Sequence, residues 1–333
     1  MTVIPEYYHS DLSIYDTQRA IERIKHIFLK KLCAALHLVR VSAPLVVDPN
    51  MGINDNLSGV ERPVRFDVPC VGGDAEIVHS LAKWKRLALH TYDFQPGRGL
   101  VTDMNAIRRD EDLDNLHSIY VDQWDWEKVM LPEERTVDYL EDTVRRIVTA
   151  ICGTLDELKW QYPQIETELC RDVTFITTQE LEDLYPDLTP KERENRIVAE
   201  HHTVFLRNIG DDLRSGKPHD HRAPDYDDWK LNGDLFFWDE VLGCAMEVSS
   251  MGIRVSPESL DEQLTKSGCD DRRELPFHHM LLKGYLPYTV GGGIGQSRLC
   301  MLMLGKAHIG EVQSSIWDKE TLERCREADV QLL

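Results

Sequence analysis

Apolar residues recur at helical spacing in two long stretches of the chain. The first stripe follows Asp16 and Thr17 and consists of Ile21, Ile24, Phe28, Leu32 and Ala35. The second stripe ends before Pro163 and consists of Leu140, Val144, Ile147, Ile151, Leu155 and Leu158. Such spacing places the side chains on one face of a helix, which a proline then ends. We therefore expect two long amphipathic helices, and a third helix from QSRLCMLMLGKA over 296–307.

Short runs with strand character lie between and after the two stripes. They read VRFDV, EIVHS, SIYVDQWDWE, DVTFIT, TVFLRNIG, LFFWD and AMEVSSMGIRV. Several follow one another directly before a long helix, which favours an α+β fold with a mainly antiparallel sheet over a doubly wound parallel sheet. No repeat or Gly/Ser-rich linker marks a boundary, so we expect a single domain over residues 1–333.

The charge balance excludes one class of partner. The chain has 333 residues, with 38 Lys+Arg against 58 Asp+Glu and a net charge of −20 when His is neutral. An acidic chain repels a phosphate backbone, so we expect no nucleic-acid partner. No signal-peptide pattern opens the chain, and no run approaches the ~18 apolar residues of a membrane span. Together with 8 scattered cysteines and no CxxC pair, this predicts a soluble, cytoplasmic protein with no membrane partner.

The run GGGIGQSR over 291–298 is the most informative stretch. Its glycines let a ligand approach the backbone just before a helix. It is neither a GxGxxG fingerprint nor a P-loop, because the required glycines are missing. Two interpretations stay open. The run is either a glycine-lined nucleotide surface with Arg298 on a phosphate, or a packing cluster with a surface arginine.

Polar residues concentrate in two of the strand-like runs. Alternation in SIYVDQWDWE places Gln123, Asp125 and Glu127 on one face of a strand. Polar side chains are costly to bury unless they bind something, so this face either contacts a ligand or is exposed. Glu247 and Arg254 in EVSSMGIR pose the same choice between a site for a metal, phosphate or carboxylate and a salt-bridged edge.

Two charged clusters have a functional and an ordinary interpretation. The cations Lys83, Lys85 and Arg86, with Arg108 farther along, suit a small anionic substrate or are solvated helix residues. The acidic turn APDYDDW, with Asp225, Asp227 and Asp228, suits a cation or ammonium group or faces solvent. The histidine pairs lack a second His/Cys cluster at ligand spacing, so we expect no zinc site.

Taken together, seven blocks resemble the ammonia-dependent asparagine synthetases, the AMP-forming aspartate–ammonia ligases. The blocks are NDNLSGVE (54–61), VHSLAKWKR (78–86), HSIYVDQWDWE (117–127), RAPDYDDW (222–229), LNGD (231–234), SSMGIRV (249–255) and GGGIGQSR (291–298). The resemblance covers nearly the whole chain. It extends to the catalytic cores of class II aminoacyl-tRNA synthetases, which implies an antiparallel sheet flanked by helices, one catalytic domain and a homodimer. In this comparison LHLVRVSAPLVV with Pro44 looks like the dimer-forming first motif, Arg108 like the second-motif arginine, and GGGIGQSR like the third motif.

The resemblance implies a two-step amidation. The side-chain carboxylate of aspartate attacks the α-phosphorus of ATP, and ammonia then displaces AMP from β-aspartyl-AMP to give asparagine. By resemblance, Arg108 holds the α-phosphate and Arg298 the outer phosphates, while Asp234 and Glu247 carry Mg²⁺. The other residues implied for the nucleotide are Leu116, Ser118, Gly293 and Gly295.

The resemblance also implies an amino-acid subsite. Lys85 and Arg254 bind the charged end of aspartate, with Ser80 beside them. The remaining residues implied for aspartate or ammonia are Gln123, Asp125, Asp227, Ser249 and Ser250, and Arg222 is a candidate for the substrate carboxylate or a phosphate. Ammonium must lose a proton before it attacks. A carboxylate can bind the cation and then take this proton, and Asp55 and Asp125 are the candidates.

Two other functions remain as alternatives to a ligase that uses free ammonia. One is a synthetase-like paralogue that has lost catalysis, although Arg108, Arg298 and Glu247 are all present. The other is a tRNA-charging enzyme, against which the acidic balance and the lack of a recognisable anticodon-binding domain both count.

Overall fold

The computed structural model of the protein describes residues 2–55, 57 and 61–333, and within them eight strands form one sheet. In spatial order the strands are β1 (Leu38–Arg40), β5 (Gly99–Ile107), β6 (Tyr120–Val129), β11 (Thr289–Gly295), β10 (Cys244–Arg254), β9 (Asp227–Asp239), β8 (Thr203–Arg207) and β7 (Thr174–Thr177). A smaller sheet orders β2 (Val46–Val47), β4 (Gly73–Ile77) and β3 (Arg65–Val68).

The large sheet is antiparallel through its middle and parallel at both edges. Neighbours from β5 to β8 run antiparallel, whereas the edge strands β1 and β7 pair parallel with β5 and β8. This arrangement confirms the expected α+β class with a mainly antiparallel sheet. Each of the seven strand-like runs overlaps a strand, but β1, β2, β5 and β11 were not predicted.

The helices flank the large sheet. They are α1 (Ile14–Leu36), α2 (Ala82–Thr91), α3 (Val137–Lys159), α4 (Thr178–Leu184), α5 (Pro190–His201), α6 (Pro257–Lys266), α7 (Pro276–Leu282), α8 (Gln296–Met303) and α9 (Lys319–Glu327). The three predicted helices are α1, α3 and α8. The start of α1 is earlier than predicted, because the Ser13 hydroxyl accepts a hydrogen bond from the amide of Asp16 and caps the helix. The end of α8 is also earlier, because Gly305 adopts a left-handed φ of 57° shortly after it.

One face of the large sheet packs into the main apolar core. The apolar stripes of α1 and α3 are buried there together with Trp124 and Trp126 of β6. The Phe28 ring lies 4.7 Å from the Trp124 ring, centroid to centroid. The opposite face of the sheet, covered in part by α2, carries polar side chains. No helix of the described residues is both long and apolar enough to cross a membrane.

Candidate active site

A cavity of ≈ 380 Å³ opens over the polar face of the large sheet. It collects, from regions far apart in sequence, all but one of the site residues that the family resemblance implied. Those that line it are Asp55, Ser80, Lys85, Arg108, Leu116, Ser118, Gln123, Asp125, Arg222, Asp227, Glu247, Ser249, Ser250, Arg254, Gly293, Gly295 and Arg298. Asp234 is the exception. Their individual roles remain predictions.

The glycines of GGGIGQSR form a strand at the floor of the cavity. Gly291, Gly293 and Gly295 pair with Glu127, Asp125 and Gln123 of β6, and so lie on the same face as these side chains. A Cβ on Gly293 would lie 2.2 Å from Oε1 of Gln123, and a Cβ on Gly291 would lie 2.8 Å from the Arg254 guanidinium. The glycines are therefore required because long side chains of the neighbouring strands extend across β11.

Alternation along β6 separates the core from the cavity. Trp124 and Trp126 are buried in the core, whereas Gln123 and Asp125 line the cavity. Glu127 is fully buried beneath it. The period of two predicted from the sequence is thus confirmed, and the polar face is not an exposed acidic surface.

A β-bulge in β10 brings Glu247 to the cavity. The pairing with β9 shifts between Glu247 and Ser249, which leaves Val248 as the extra residue. Beyond the bulge, Ser250 lies opposite Gly293 on the cavity face. Glu247 and Ser250 therefore share a face, although simple alternation would separate them.

Lys85 is held over the floor by two acceptors. Its ammonium donates to Oδ1 of Asp125 at 2.6 Å and to the carbonyl oxygen of Gly292 at 2.9 Å. The amide of Leu81 donates to the other oxygen of Asp125. Burial lowers the pKa of Lys85, an effect that the Asp125 charge opposes. The pair offers a cation and an anion side by side, which suits a zwitterionic ligand.

Two buried carboxylates, those of Glu127 and Asp227, surround Arg254. Its guanidinium donates to Glu127 through Nε and Nη2 at 3.2 and 3.1 Å, and to Asp227 through Nη1. Thr289 donates to the remaining oxygen of Glu127 at 2.7 Å. Burial alone would lower the pKa of Arg254, but Glu127 and Asp227 outweigh it and raise the pKa. Burial also raises the pKa of Asp227, against the attraction of Arg254.

Arg222 connects the cavity with Asp234. Its Nη2 donates to both oxygens of Asp234 at 2.7 and 2.8 Å, and its Nη1 donates to the Ser250 hydroxyl at 2.6 Å. The Nε of Arg222 is buried and has no hydrogen-bond partner among the described residues. A guanidinium with an unpaired N–H keeps hydrogen-bonding capacity for an anion.

The opposite end of the cavity carries two more arginines. Arg298 donates to the carbonyl oxygen of Glu247 at 3.0 Å and approaches the Leu116 carbonyl at 3.5 Å. Nη1 of Arg108 lies 3.9 Å from Oε2 of Glu111. The Nε of Arg108 is buried and lacks a partner among the described residues. Arg108 and Arg222 both line the cavity, and each has a buried Nε–H without a partner among the described residues.

One carboxylate of the expected metal pair is accessible. No group of three or more His, Cys, Asp or Glu side chains in the described part of the chain is arranged to hold a metal. Glu247 lines the cavity, whereas both oxygens of buried Asp234 already accept from Arg222. A magnesium ion commonly takes one or two carboxylates and completes its shell with phosphate and water oxygens, so Glu247 fits such an ion.

The two candidate bases differ in their hydrogen bonds. Both oxygens of Asp125 already accept, one from Lys85 and the other from the amide of Leu81. Asp55 accepts from the amide of Leu57 through one oxygen at 2.9 Å, and its second oxygen has no partner among the described residues. Asp55 therefore has an oxygen available to accept a hydrogen bond from an ammonium group. Asn56 and residues 58–60 of the NDNLSGVE block lie outside the described residues.

The ordinary interpretations of the charged clusters do not hold. Lys83, Lys85 and Arg86 are buried rather than solvated, and so are Asp225, Asp227 and Asp228 of the acidic turn. Asp225 and Asp228 bind other cations of the chain, namely Lys83 and Arg135, and do not line the cavity.

Sequence reasoning missed several residues that line the cavity. Tyr226 lies between two singled-out aspartates, so the motif itself could have indicated it. Gln313, which donates to the Ser297 hydroxyl at 3.0 Å, had no such signal because only the fold brings it to the cavity.

Comparisons with known proteins agree with this geometry. Residues 15–329 match the family profile described as aspartate–ammonia ligase. The "Aspartate--ammonia ligase" of Lactobacillus johnsonii is 60% identical over 333 residues, which cover 99% of each chain. That of Ruminiclostridium cellulolyticum is 57% identical, with 99% of this chain and 98% of the relative covered.

Solved structures show the same fold at low identity. The asparaginyl-tRNA synthetase of Entamoeba histolytica, solved with asparaginyl-adenylate, matches with a TM-score of 0.66 at 13% identity. The match covers 90% of this chain and 66% of that one. The aspartyl-tRNA synthetase of the same organism matches with a TM-score of 0.57 at 18% identity, covering 91% and 59%. The expected class II synthetase-like fold is confirmed.

Proposed function

Because the chain belongs to the aspartate–ammonia ligase family, we propose that it forms L-asparagine from L-aspartate, ammonia and ATP, releasing AMP and pyrophosphate. The observation that carries the proposal is the cavity itself. It combines the guanidinium-bearing residues Arg108, Arg222 and Arg298 with the buried ion pairs of Lys85 and Arg254. Aspartate has two carboxylates and one ammonium, and ATP is a polyanion, so both substrates need this mixture of charges.

In the first step, the aspartate side-chain carboxylate attacks the α-phosphorus and pyrophosphate leaves. Both reactants are anionic, so their approach needs cations around the reacting phosphate. We assign Arg108 to the α-phosphate and Arg298 to the outer phosphates, with the backbone of Gly293 and Gly295 along the nucleotide. Leu116 and Ser118 would contact the adenine at the same end of the cavity.

The aspartate subsite lies above the glycine floor. Lys85 and Arg254 bind carboxylate oxygens, and both still have N–H groups beyond their present bonds. Residues that position the amino acid or its ammonium group complete the subsite, namely Ser80, Gln123, Asp125, Arg222, Asp227, Ser249 and Ser250.

In the second step, ammonia attacks the β-carbonyl carbon of β-aspartyl-AMP and AMP leaves. Ammonium has no lone pair, so a base must first remove a proton. We favour Asp55 over Asp125 for this role, since one Asp55 oxygen has no partner in the described residues.

A magnesium ion accompanying ATP would be held by Glu247. When bound, it neutralises phosphate charge and polarises the reacting oxygens. Asp234, the second carboxylate implied by the resemblance, would have to exchange Arg222 for the metal. Arg222 would then be free to turn both terminal nitrogens toward the substrate.

We further propose a single catalytic domain over residues 1–333, a homodimer and a cytoplasmic location. Support for the dimer comes from exposed apolar side chains on the outer strand β1 and on the segment that follows it, namely Val39, Leu45 and Val46.

Product analysis tests the proposed reaction. The protein is incubated with L-aspartate, MgATP and ammonium, and asparagine, AMP and pyrophosphate are quantified by chromatography. Equimolar asparagine and AMP are expected. ADP with phosphate would refute the adenylate route, and a lack of asparagine would favour a paralogue that has lost catalysis.

The matched variants of that assay are Arg108→Ala and Arg109→Ala. Arg108→Ala should slow aspartate-dependent pyrophosphate exchange by about 100-fold or more, the usual loss when one donor to transition-state charge is removed. Arg109 is exposed and does not line the cavity, so its variant should retain the wild-type rate. Equal rates in the two variants would remove Arg108 from the mechanism.

A further inference from the structure

Asp225 lies at the centre of a buried cluster outside the cavity. Its Oδ2 accepts from Nζ of Lys83 at 3.0 Å, from Nη1 of Arg272 at 3.0 Å and from Nε2 of His278 at 2.8 Å. Asp225, Lys83 and His278 are almost completely inaccessible to solvent. Burial would raise the pKa of Asp225, but Lys83, His278 and Arg272 more than offset it and lower the pKa. The carboxylate is therefore charged at neutral pH and binds three donors at once.

The three donors come from different elements of the fold. Lys83 belongs to α2, Arg272 to the short helical turn Asp270–Glu274, and His278 to α7. Asp225 itself belongs to the segment that leads into β9. The cluster therefore ties four segments together at one atom.

Two of these segments carry aspartate-subsite residues. Asp225 precedes Tyr226 and Asp227, which both line the cavity, and Asp227 binds the Arg254 guanidinium. On α2, Lys83 stands two residues before Lys85, and two helical positions differ by about 200° around the axis. Accordingly, Lys85 reaches the cavity while Lys83 reaches Asp225 from the other side of the same helix.

We propose that Asp225 is a positioning residue of the aspartate subsite: through Lys83 it fixes α2, and through the backbone it fixes Asp227, so that Lys85 and the Arg254–Asp227 pair face the substrate together. The inference rests on the proposed function and extends it to a residue that touches neither substrate. It follows that the cluster controls affinity for aspartate. The nucleotide end, around Arg108 and Arg298, has no contact with the cluster within the described part of the chain and stays unchanged.

The test uses a graded pair of variants with a matched control. Asp225→Asn removes the charge and leaves Lys83 buried without a counter-charge, which can prevent folding. Arg272→Gln is milder, because it removes one donor that is partly accessible. Arg273→Gln is the control, since the neighbouring Arg273 binds Asp261 and Thr265 at the surface and has no contact with Asp225.

Steady-state kinetics with aspartate and MgATP varied separately, together with calorimetric titration of aspartate alone, give the readout. Arg272→Gln should raise the KM for aspartate by about threefold to tenfold, where tenfold corresponds to about 1.4 kcal/mol of binding free energy. Its KM for ATP should stay within about twofold of the wild-type value, because the nucleotide end of the cavity is unchanged. Asp225→Asn, if folded, should show a larger shift with the same selectivity, and Arg273→Gln neither shift.

Each outcome decides between specific alternatives. Variants that melt earlier but keep the wild-type KM for aspartate would show that the cluster is only structural and would overturn the inference. Equal increases in both KM values would overturn it as well. A wild-type protein that binds no aspartate and forms no asparagine would instead refute the proposed function, and this inference with it.

Discussion

Each of two cations in the proposed aspartate subsite is already bound to a carboxylate of the chain. Lys85 is held by Asp125, and Arg254 by Asp227. A buried charge without a partner is strongly destabilising, so these ion pairs allow the two cations to be buried beside the cavity. An incoming aspartate supplies both charge signs. It can therefore bind by exchanging partners, without exposing a bare charge at any stage.

At the same scale, Asp239 predicts a pH dependence of stability. This carboxylate lies at the end of β9, where it accepts from the amides of Val241 and Leu242 in the turn that follows. Burial raises the pKa of Asp239 from 3.8 to about 6. Between these two values the folded state holds a proton that the unfolded state has lost, so the contribution of Asp239 to stability falls as pH rises.

Asp239→Asn should remove this loss, because an amide keeps the acceptor and carries no charge. Relative to wild type, its free energy of unfolding should rise as pH increases from 4 to 6, reaching a gain of about 3 kcal/mol at pH 7. Urea denaturation across this pH range measures it, with exposed Asp187→Asn as the control. A constant difference between wild type and variant would contradict the argument.

Residue types were predictable from the sequence, but their partners were not. Repeated acids and cations in short motifs were enough to indicate Lys85, Asp125 and Asp227 as candidates. The pairing of Arg254 with Glu127, 127 positions away, depends on strand register, which no local pattern contains. The pairing of Lys83 with Asp225 was also not predictable, because both residues are charged and yet buried.

At the scale of elements, the glycine strand β11 predicts a selective defect. Gly293→Ala places a Cβ 2.2 Å from Oε1 of Gln123 and 3.0 Å from Oδ1 of Asp125. The Gln123 side chain is flexible and can move away, so the fold should survive. We expect aspartate affinity to fall by about tenfold, equivalent to about 1.4 kcal/mol, as measured by calorimetric titration.

The matched control is Gly73→Ala in β4. It is also a strand glycine, but a Cβ there meets no atom of the described residues within 4 Å. The control should bind aspartate as the wild type does. If Gly293→Ala also binds normally, the glycines serve packing alone.

Strand β11 also shows why some secondary-structure elements could not be predicted from the sequence. The amphipathic stripes of α1 and α3 predicted these helices, because their periodicity is local. Glycine is unfavourable in strands, so Gly291–Gly295 carried no strand signal. Glycines are required in this strand because long side chains of β6, which lies in another part of the chain, extend across it. The bulge at Val248 could not be predicted either, because it changes the face on which the following side chains lie without changing the residue types.

At the scale of the whole molecule, the exposed apolar residues near β1 predict a homodimer. Val39→Asp combined with Val46→Asp should weaken association by at least about tenfold, because each buried apolar side chain contributes about 1.5–3 kcal/mol. Sedimentation velocity over a concentration series measures this. Trp160→Asp is the control, as Trp160 is 88% exposed at the end of α3 and belongs to neither sheet. A wild-type protein that remains monomeric at micromolar concentration would contradict the prediction.

Substitutions on the two faces of the large sheet should affect different properties of the protein. On β6, Trp124 faces the helical layer and Asp125 faces the cavity. Engineering for heat resistance can therefore draw on the α1–α3 layer, where improved packing adds stability without approaching the chemistry. Altered selectivity requires changes on the other side. A library confined to one side of the sheet would then explore a single property at a time.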